Sequence, residues 1–564
     1  MLFSSIDFLI FFILILALIS VIKYRKFQHI FLLIASYFFF YYTSNYLVIL
    51  LIYSTLMDYF IGKQIWKTEN IQNKKILLIL SLIGNLGLLG FFKYADFAIL
   101  QFNILGESFN LNSEIPFLNL ALPIGISFYT FQTISYTVDI YRGKLKPAQS
   151  FKEFALFVAF FPQLVAGPIV RASEFLPQLR EKIQEFETNG KIRQIILHNS
   201  NLKLGITLIV MGFFKKMFFA DNIAPLVNEI FSNPYGLESF TIILGAIAFG
   251  FQIYGDFSGY TDIAIGAALI LGFKLPVNFN KPYFAISPSD FWRRWHISLS
   301  SWLRDYLYIP LGGNKKSNAR TYANLTTVMF LGGLWHGASW NFVIWGLLHG
   351  VYLAVHKIIG DKFPGLKENE FLKSRSGKIV SIFVTQYFVF LAWIAFRVQD
   401  TDDILCSMKK FIFIDFKLSP QSQIHYQNVV STFKRSGDTE NTALGDLQRT
   451  TTASTFRYFI QESGKYCGLG VGISQSTQSF RNDSSITRLR SNGLFALAEF
   501  GAQYYLGKKP GTSLFMNVSM QYISYLDYND NYSTGKISTS EYDVFTKQAK
   551  TNLLALLVGV GWFF

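Results

Sequence analysis

Charge is scarce in this chain of 564 residues: Asp, Glu, Lys and Arg make up 15% of it, against about 25% in a soluble globular protein. With 51% hydrophobic residues, that scarcity excludes a string of three or four ordinary soluble domains, which length alone would suggest. Cysteine is nearly absent. Cys406 and Cys467 are too few for a disulfide framework and lie at no metal-ligand spacing, so neither staples nor a zinc site are expected. Acid is the scarcer sign, 36 residues against 51 basic, and the net charge of +15 raises nucleic-acid binding as one reading. Basic loops holding a cytoplasmic membrane face explain the same excess in so apolar a chain, and nucleic acid is not expected as a partner.

What is present instead is a series of long apolar runs. Leu2 to Val21 carries one charge, Asp7, and is long enough to span a bilayer core of roughly 30 Å. No basic region precedes it, and Lys23, Arg25 and Lys26 follow, which predicts an uncleaved helix with its N-terminus outward. Further runs occupy Ile30–Tyr42, Tyr46–Ile61, Ile76–Phe92, Phe117–Ile134, Phe154–Phe161, Leu204–Phe214 and Phe240–Tyr254. Ile263–Phe273, Tyr322–Leu334, Phe342–Val355 and Ile379–Phe396 complete the series. Several are too short to cross alone, and Gly or Pro interrupts many. Broken or re-entrant segments are tolerated only where protein buries them or water lines them. Residues 1–415 are therefore expected to be mainly α: a polytopic membrane bundle with broken or re-entrant helices around a central funnel.

The composition changes after Ile412-Phe-Ile-Asp-Phe416. Ser, Thr, Gln, Asn and Tyr become common, and period-two alternation replaces helical runs. Leu514, Met516, Val518, Met520 and Tyr522 share one face, with Asn517, Ser519 and Gln521 on the other, which is strand patterning. Gly468–Ile473 and Glu499–Tyr504 alternate likewise, and Asp527–Thr534 reads as a polar loop. The last run, Leu554 to Phe564, resembles the closing strand of a bacterial outer-membrane β-barrel. Yet roughly five to seven strands fall short of the eight or so that a closed barrel needs, and an open edge cannot face lipid. Residues 416–564 are thus expected to be a β-rich tail without a part in the chemistry. It is either a small soluble β-domain or, the favoured reading, the product of a fusion or frameshift.

Five stretches of the helical part crowd polar and small residues into apolar context: Leu122–Gly143, Phe160–Arg171, Tyr254–Asp262, Ser287–Ser298 and Leu331–Asn341. His336 lies in Leu331-Gly-Gly-Leu-Trp-His-Gly-Ala-Ser-Trp340, and His296 in Phe291-Trp-Arg-Arg-Trp-His-Ile-Ser-Leu-Ser300. A polar ring at membrane depth is costly unless it meets a partner or a hydrated cavity, and imidazole is suited to moving a proton near neutral pH. Asp139, Asp256 and Asp262 need cations or backbone donors, for which Arg293, Arg294 and Arg304 are available. Trp292, Trp295, Trp302, Trp335 and Trp340 bunch around the histidines, as interfacial belts or as cavity walls. His349 and His356 follow apolar helix residues and read as structural or interfacial. No carboxylate or cysteine falls at ligand spacing near His336, so a metal is not expected.

The five stretches resemble the membrane-bound O-acyltransferases, in particular the bacterial branch with alginate O-acetylation and teichoic-acid D-alanylation membrane proteins. Trp335-His-Gly337, Trp292-Arg-Arg-Trp-His296 and Arg304-Asp-Tyr-Leu-Tyr-Ile-Pro-Leu-Gly-Gly313 occur in that family's order. The resemblance covers most of residues 1–400. Family members usually continue with further helices beyond the position of Arg397, where this chain turns to its different tail.

The resemblance implies that His336 is the signature catalytic residue and that His296 lines the same site. Asp290, Trp292, Trp295, Arg304, Trp335, Trp340 and Asn341, which lie in or beside the same motifs, are expected to bind substrate. It further implies an acyl thioester such as acetyl-CoA as donor, no tightly bound cofactor, and a multi-pass protein in membrane lipid at the bacterial inner membrane. The acceptor implied is a hydroxyl of an exported polysaccharide, alginate-like, reached directly or through a periplasmic acetyltransferase partner. D-Alanyl transfer to teichoic acid and peptidoglycan O-acetylation are alternatives on the same scaffold. A transporter or channel is a reading of another class, since intramembrane ionisable residues also mark ion paths. No convincing repeat of residues 1–200 in 200–400 supports it. An outer-membrane binding or adhesin module would leave the first 400 residues unexplained.

Overall fold

The computed structural model describes residues 3–413 with side chains, apart from residues 4, 23–26, 110–113, 165–166, 181–200 and 367; beyond Asp415 it describes only stretches of backbone. Among the residues described with side chains, regular structure is helical throughout. The helices are α1 Ile6–Val21, α2 Arg25–Ser44, α3 Val48–Lys67, α4 Ile71–Ser108, α5 Ile126–Tyr141 and α6 Phe151–Ala159. There follow α7 Phe161–Leu164, α8 Ala172–Asn189, α9 Asn199–Phe213, α10 Asp221–Ser232, α11 Ser239–Ile270, α12 Pro288–Arg294 and α13 Ile297–Leu303. Last come α14 Asn318–His336, α15 Trp340–Lys362, α16 Glu370–Lys373, α17 Arg375–Arg397 and α18 Thr401–Ile412. Two π turns, Phe214–Ala220 and Arg304–Tyr308, continue α9 and α13.

Among the described residues, five helical stretches are long and apolar enough to cross a membrane: Phe27–Lys67, Ile71–Ser108, Ser239–Ile270, Trp340–Lys362 and Arg375–Arg397. This is a multi-pass membrane protein. α4 is the most outward of them, with only 17% of its apolar window buried and Ile83 64% exposed, as a lipid-facing helix requires. Its inner side carries the opposite chemistry. Asp58 of α3 accepts hydrogen bonds from Ser81 (2.5 Å) and Asn85 (2.7 Å) of α4, while Ser54 and Thr133 donate to the Asn85 amide oxygen. Ser81 also lies 3.1 Å from Thr137 of α5. These pairs, all buried, satisfy one another in a place where an unpaired polar group would be expensive. They also fix α4 and α5 antiparallel, so that Lys93, higher on α4, comes level with the start of α5.

Two expected runs have different boundaries. Phe117–Ile134 is not one helix, because the chain turns at Gly125 with φ 84° and α5 starts only at Ile126. A Cβ at that glycine would sit 2.4 Å from the Leu164 carbonyl oxygen, so no other residue fits the turn. Conversely, Phe240–Tyr254 and Ile263–Ile270 belong to the single helix α11, whose carboxylates Asp256 and Asp262 are paired by Lys216 and Lys215 of the first π turn; the rest of the second run, to Phe273, follows the helix end.

α14 and α15 form a hairpin packed backbone to backbone. A Cβ on Gly333 would lie 2.2 Å from the Phe342 carbonyl oxygen, and one on Gly346 would lie 2.5 Å from that of Met329. Small residues allow this approach, as between membrane helices generally, and His336 is thereby fixed at the last position of α14.

The chain separates into two units, Met1–Asp415 and Phe416–Phe564. In the second, the backbone runs in six extended segments paired in chain order, each antiparallel to the next. Among the described residues the first segment does not pair with the last, and the resemblance to an outer-membrane barrel gains no support. The run expected as a loop, 527–534, is extended instead as far as Asn531, inside the fifth segment Leu514–Asn531, and 554–562 of the expected closing run falls in the sixth, Leu553–Trp562. The side-chain alternation expected for 468–473, 499–504 and 514–522 lies outside the described residues. So do the side chains of Lys23, Arg25 and Lys26.

Candidate active site

His296 stands at the break between two seven-residue helices, α12 and α13, with φ 41° and ψ 55°. That left-handed conformation is disfavoured for a side chain other than glycine and persists only where neighbours impose it. Asn278 imposes it. Its carbonyl accepts from Ile297 N–H (2.9 Å) and its side-chain oxygen from Ser298 N–H (3.2 Å). The Ser298 hydroxyl in turn accepts from Ile169 N–H at 2.9 Å. The imidazole that results is 1% exposed, stands edge-on to Phe257 with ring centres 4.7 Å apart, and has no protein hydrogen-bond partner on either nitrogen.

His336 is half-buried among the rings of Trp335, Trp345 and Phe396, with centres 4.9, 5.0 and 5.1 Å away. The carbonyls just before it are met from α4. Lys93 Nζ donates to the Trp335 carbonyl, and the Tyr94 hydroxyl to that of Leu334 at 2.6 Å. Both histidines line one cavity of about 470 Å³, whose wall also includes Lys93, Asp256, Trp295 and Trp335. Two imidazoles facing one chamber, one of them with both nitrogens free of protein partners, can accept, donate or relay a proton to a molecule held between them.

The other residues expected from the sequence are distributed differently. Trp295 and Trp335 line the cavity. Trp292 packs against His349 (5.1 Å) and Trp345 (5.8 Å), one layer behind the wall. Asn341 donates to the Phe396 carbonyl at 3.4 Å and so holds a wall residue from outside. Asp290 pairs with Arg294 at 2.9 Å. Arg304 is largely exposed on Asp305, and Trp340, half-exposed, donates to Gln101 at 3.1 Å. His349 is buried against Phe291, off the cavity.

The expected cation partners also need correction. Asp256 pairs with Lys216 (2.8 Å), Asp262 pairs with Lys215, and Asp139 accepts from the Tyr306 hydroxyl (2.8 Å). Among the described residues Arg293, Arg294 and Arg304 pair with none of them: the π turn Phe214–Ala220 brings Lys215 and Lys216 against the carboxylates of α11, and Tyr306 meets Asp139 on α5.

A second cavity, of about 490 Å³, opens at the other end of α5, among Asp139, Arg142, Lys144, Arg171, Asp305 and Tyr306. Burial pushes the Asp305 carboxyl up, but Arg304 and Arg171, the latter at 2.8 Å, outweigh it and hold it below the usual carboxylate range. Arg142 and Arg171 both lie over the Tyr306 ring.

Sequence reasoning missed Lys93 and Asn278, and it reached Phe257 only as part of the stretch Tyr254–Asp262. Lys93 had a visible signal, a lone cation between Phe92 and Tyr94 in a helix long enough to span the bilayer. Among the described residues no three His, Cys, Asp or Glu side chains gather as a metal site would require.

The family model of MBOAT, the membrane-bound O-acyltransferase family, matches residues 144–397, which include both histidines. The chain is 38% identical over 414 residues to a peptidoglycan O-acetyltransferase of Helicobacter pylori, covering 69% of this chain and 75% of that protein. It is 40% identical over 364 residues to an Azotobacter vinelandii protein named "Probable alginate O-acetylase AlgI", covering 64% of this chain and 69% of that protein. A teichoic acid D-alanyltransferase of Streptococcus thermophilus is 29% identical over 296 residues, which is 48% of this chain and 68% of that one. With relatives of this identity and coverage, the chain is an O-acyltransferase and belongs to the membrane-bound O-acyltransferase family.

Proposed function

We propose that this enzyme moves an acetyl group from a cytoplasmic thioester, acetyl-CoA or another carrier, to hydroxyls of an exported polysaccharide such as alginate. The transfer is direct or passes through a periplasmic acetyltransferase partner, and the membrane is the bacterial inner one. The observation that carries the reading is the shared cavity of His296 and His336. The names of the O-acetylating relatives supply the acyl group and the acceptor class.

A hydroxyl attacks a thioester slowly until its proton is removed. His336 accepts that proton as the oxygen bonds to the carbonyl carbon, then returns it to the sulfur as the C–S bond breaks. Such acid–base assistance is worth roughly 10²- to 10⁴-fold. His296, with both nitrogens unpaired, orients the donor or hydrogen-bonds the developing oxyanion. Asp290, Trp292, Arg304, Trp340 and Asn341 act from outside the wall, by holding α12, α15 and the π turn that frame the funnel.

The two cavities suit two substrates. The end of α3 and the start of α4 carry Lys67, Lys74 and Lys75, which marks that side as cytoplasmic. Because α5 runs antiparallel to α4, its Arg142 end faces the same side, where three cations suit a phosphate-bearing thioester. The histidine cavity at its other end, level with Lys93, lies some 27 Å up α4 from Lys75 at 1.5 Å per residue. That is close to the far boundary of the hydrocarbon core and within reach of an exported acceptor.

Peptidoglycan is the second acceptor reading, from the Helicobacter relative; D-alanyl transfer rests on the lower identity of the teichoic-acid relative. Residues 416–564 are proposed to be a β-rich, separately folding tail, of fused or frameshifted origin, without a catalytic part. Proteoliposomes given radiolabelled acetyl-CoA on the side of Arg142 and alginate on the other test the scheme. Label on alginate hydroxyls supports it, and label on peptidoglycan fragments alone moves the acceptor. Acetyl-CoA consumed on neither, with ion flux across the vesicle, would support the transporter reading instead.

A further inference from the structure

We infer that Lys93 and Tyr94 of α4 are positioning residues for His336. The inference rests on the reading of His336 as the base. A helix leaves its last four carbonyls without partners inside the helix. α14 ends at His336, and Gly337 continues in extended backbone at φ −169°, so the chain does not curl back to satisfy them. Two are met from outside: Leu334 by the Tyr94 hydroxyl at 2.6 Å, Trp335 by the Lys93 ammonium. Those are the two carbonyls immediately before the reactive histidine, and their partners come from a helix some 240 residues earlier.

The lysine is oddly placed for any lesser task. α4 faces lipid over most of its surface, and a lysine there would ordinarily extend its stem outward to the headgroups. Lys93 turns inward instead. Its ammonium lies 5.8 Å from the centre of the Trp335 ring and lines the histidine cavity. A cation at a helix C-terminus is favourably placed against the macrodipole as well as hydrogen-bonded. Tyr94, the next residue, points to the preceding carbonyl, so the pair grips the final turn at two points. The Gly333–Gly346 contact holds α14 against α15 one turn earlier, and the two donors from α4 add hydrogen bonds to the last turn itself. The clamp from α4 holds the imidazole where the hydroxyl and the thioester meet.

Misplacing a reacting group by about 1 Å costs on the order of 10²-fold. Lys93→Met is therefore expected to lower kcat about 100-fold, with KM for donor and acceptor within about 2-fold of wild type. Tyr94→Phe removes one neutral hydrogen bond and should cost about 5-fold. Lys93→Arg, which still donates to the Trp335 carbonyl, should recover most of the rate. Because both side chains hold one turn, the Lys93→Met/Tyr94→Phe double variant should lose less than the product of the single losses. A readout independent of turnover is the rate at which diethyl pyrocarbonate modifies His336, followed by peptide mass spectrometry. It should change in Lys93→Met and return toward wild type in Lys93→Arg.

Wild-type kcat and His336 reactivity in Lys93→Met would overturn the inference. So would wild-type behaviour of Tyr94→Phe with Lys93→Arg as inactive as Lys93→Met, which would leave a charge effect without a clamp. If Lys93→Met does not fold, Tyr94→Phe and Lys93→Arg decide alone by the same criteria. Full activity of His336→Ala would remove the underlying reading; its inactivity beside fully active clamp variants would remove only this inference.

Discussion

His296 and His336 reach one cavity by opposite means. His296 sits in a strained left-handed turn between two very short helices, clamped by the backbone and side chain of Asn278 and bare at both ring nitrogens. His336 ends a 19-residue helix of ordinary geometry and is placed by what grips that helix: α15 along its side and Lys93 with Tyr94 at its tip. One imidazole is oriented by hydrogen bonds that the backbone of its own turn donates to Asn278, some 20 residues upstream. The other depends on helix packing, with the neighbouring α15 on one side and α4, some 240 residues earlier, on the other. Substitutions around His296 should therefore act through the turn itself, and those around His336 through helix packing.

The largest effect that would sharpen this contrast is His336→Ala, expected to lower transfer by 10²- to 10⁴-fold with donor binding retained, read by single-turnover kinetics. Next comes Asn278→Ala. It leaves the Ser298 N–H unpaired in a buried turn and should destabilise the protein by about 1–3 kcal/mol, seen as a lowered Tm in detergent. An unchanged Tm would mean that the turn at His296 does not need its clamp. Gly333→Ala drives a methyl against the Phe342 carbonyl and should part α14 from α15, costing about 1–3 kcal/mol and lowering kcat more than KM. Arg171→Ala, remote from both histidines, should raise KM for a phosphate-bearing donor several-fold and leave kcat nearly unchanged, checked by initial rates. The smallest effect is expected from ending the chain after Asp415: acetyl transfer by 1–415 should match the full chain. Loss of transfer there would give the tail a part that its separate unit does not suggest.

Much of the helical part was legible because hydropathy reports lipid exposure directly: the runs at Ile76–Phe92, Phe342–Val355 and Ile379–Phe396 all fall within long helices. The boundaries were less legible. Gly125 ends a run that hydropathy continues, and Asp256 and Asp262 interrupt a run that the helix does not, since lysines elsewhere neutralise them. At the site, the Trp-His motifs pointed to residues that do share a cavity. Motif membership could not separate wall from support, however. Trp295 and Trp292 are three residues apart, yet one lines the cavity and the other packs behind it against Trp345 and His349. Lys93 was visible as a cation in an apolar helix, but its role was not, because its partners are backbone carbonyls, which carry no sequence signature.

On the proposed mechanism the imidazole of residue 336 moves the proton between acceptor hydroxyl and departing thiolate. The decisive experiment loads purified wild-type and His336→Ala protein with radiolabelled acetyl thioester and follows label onto polysaccharide in a single turnover. Both proteins should bind the donor, and the variant should label the acceptor at least about 100-fold more slowly. Equal rates of labelling would contradict the mechanism.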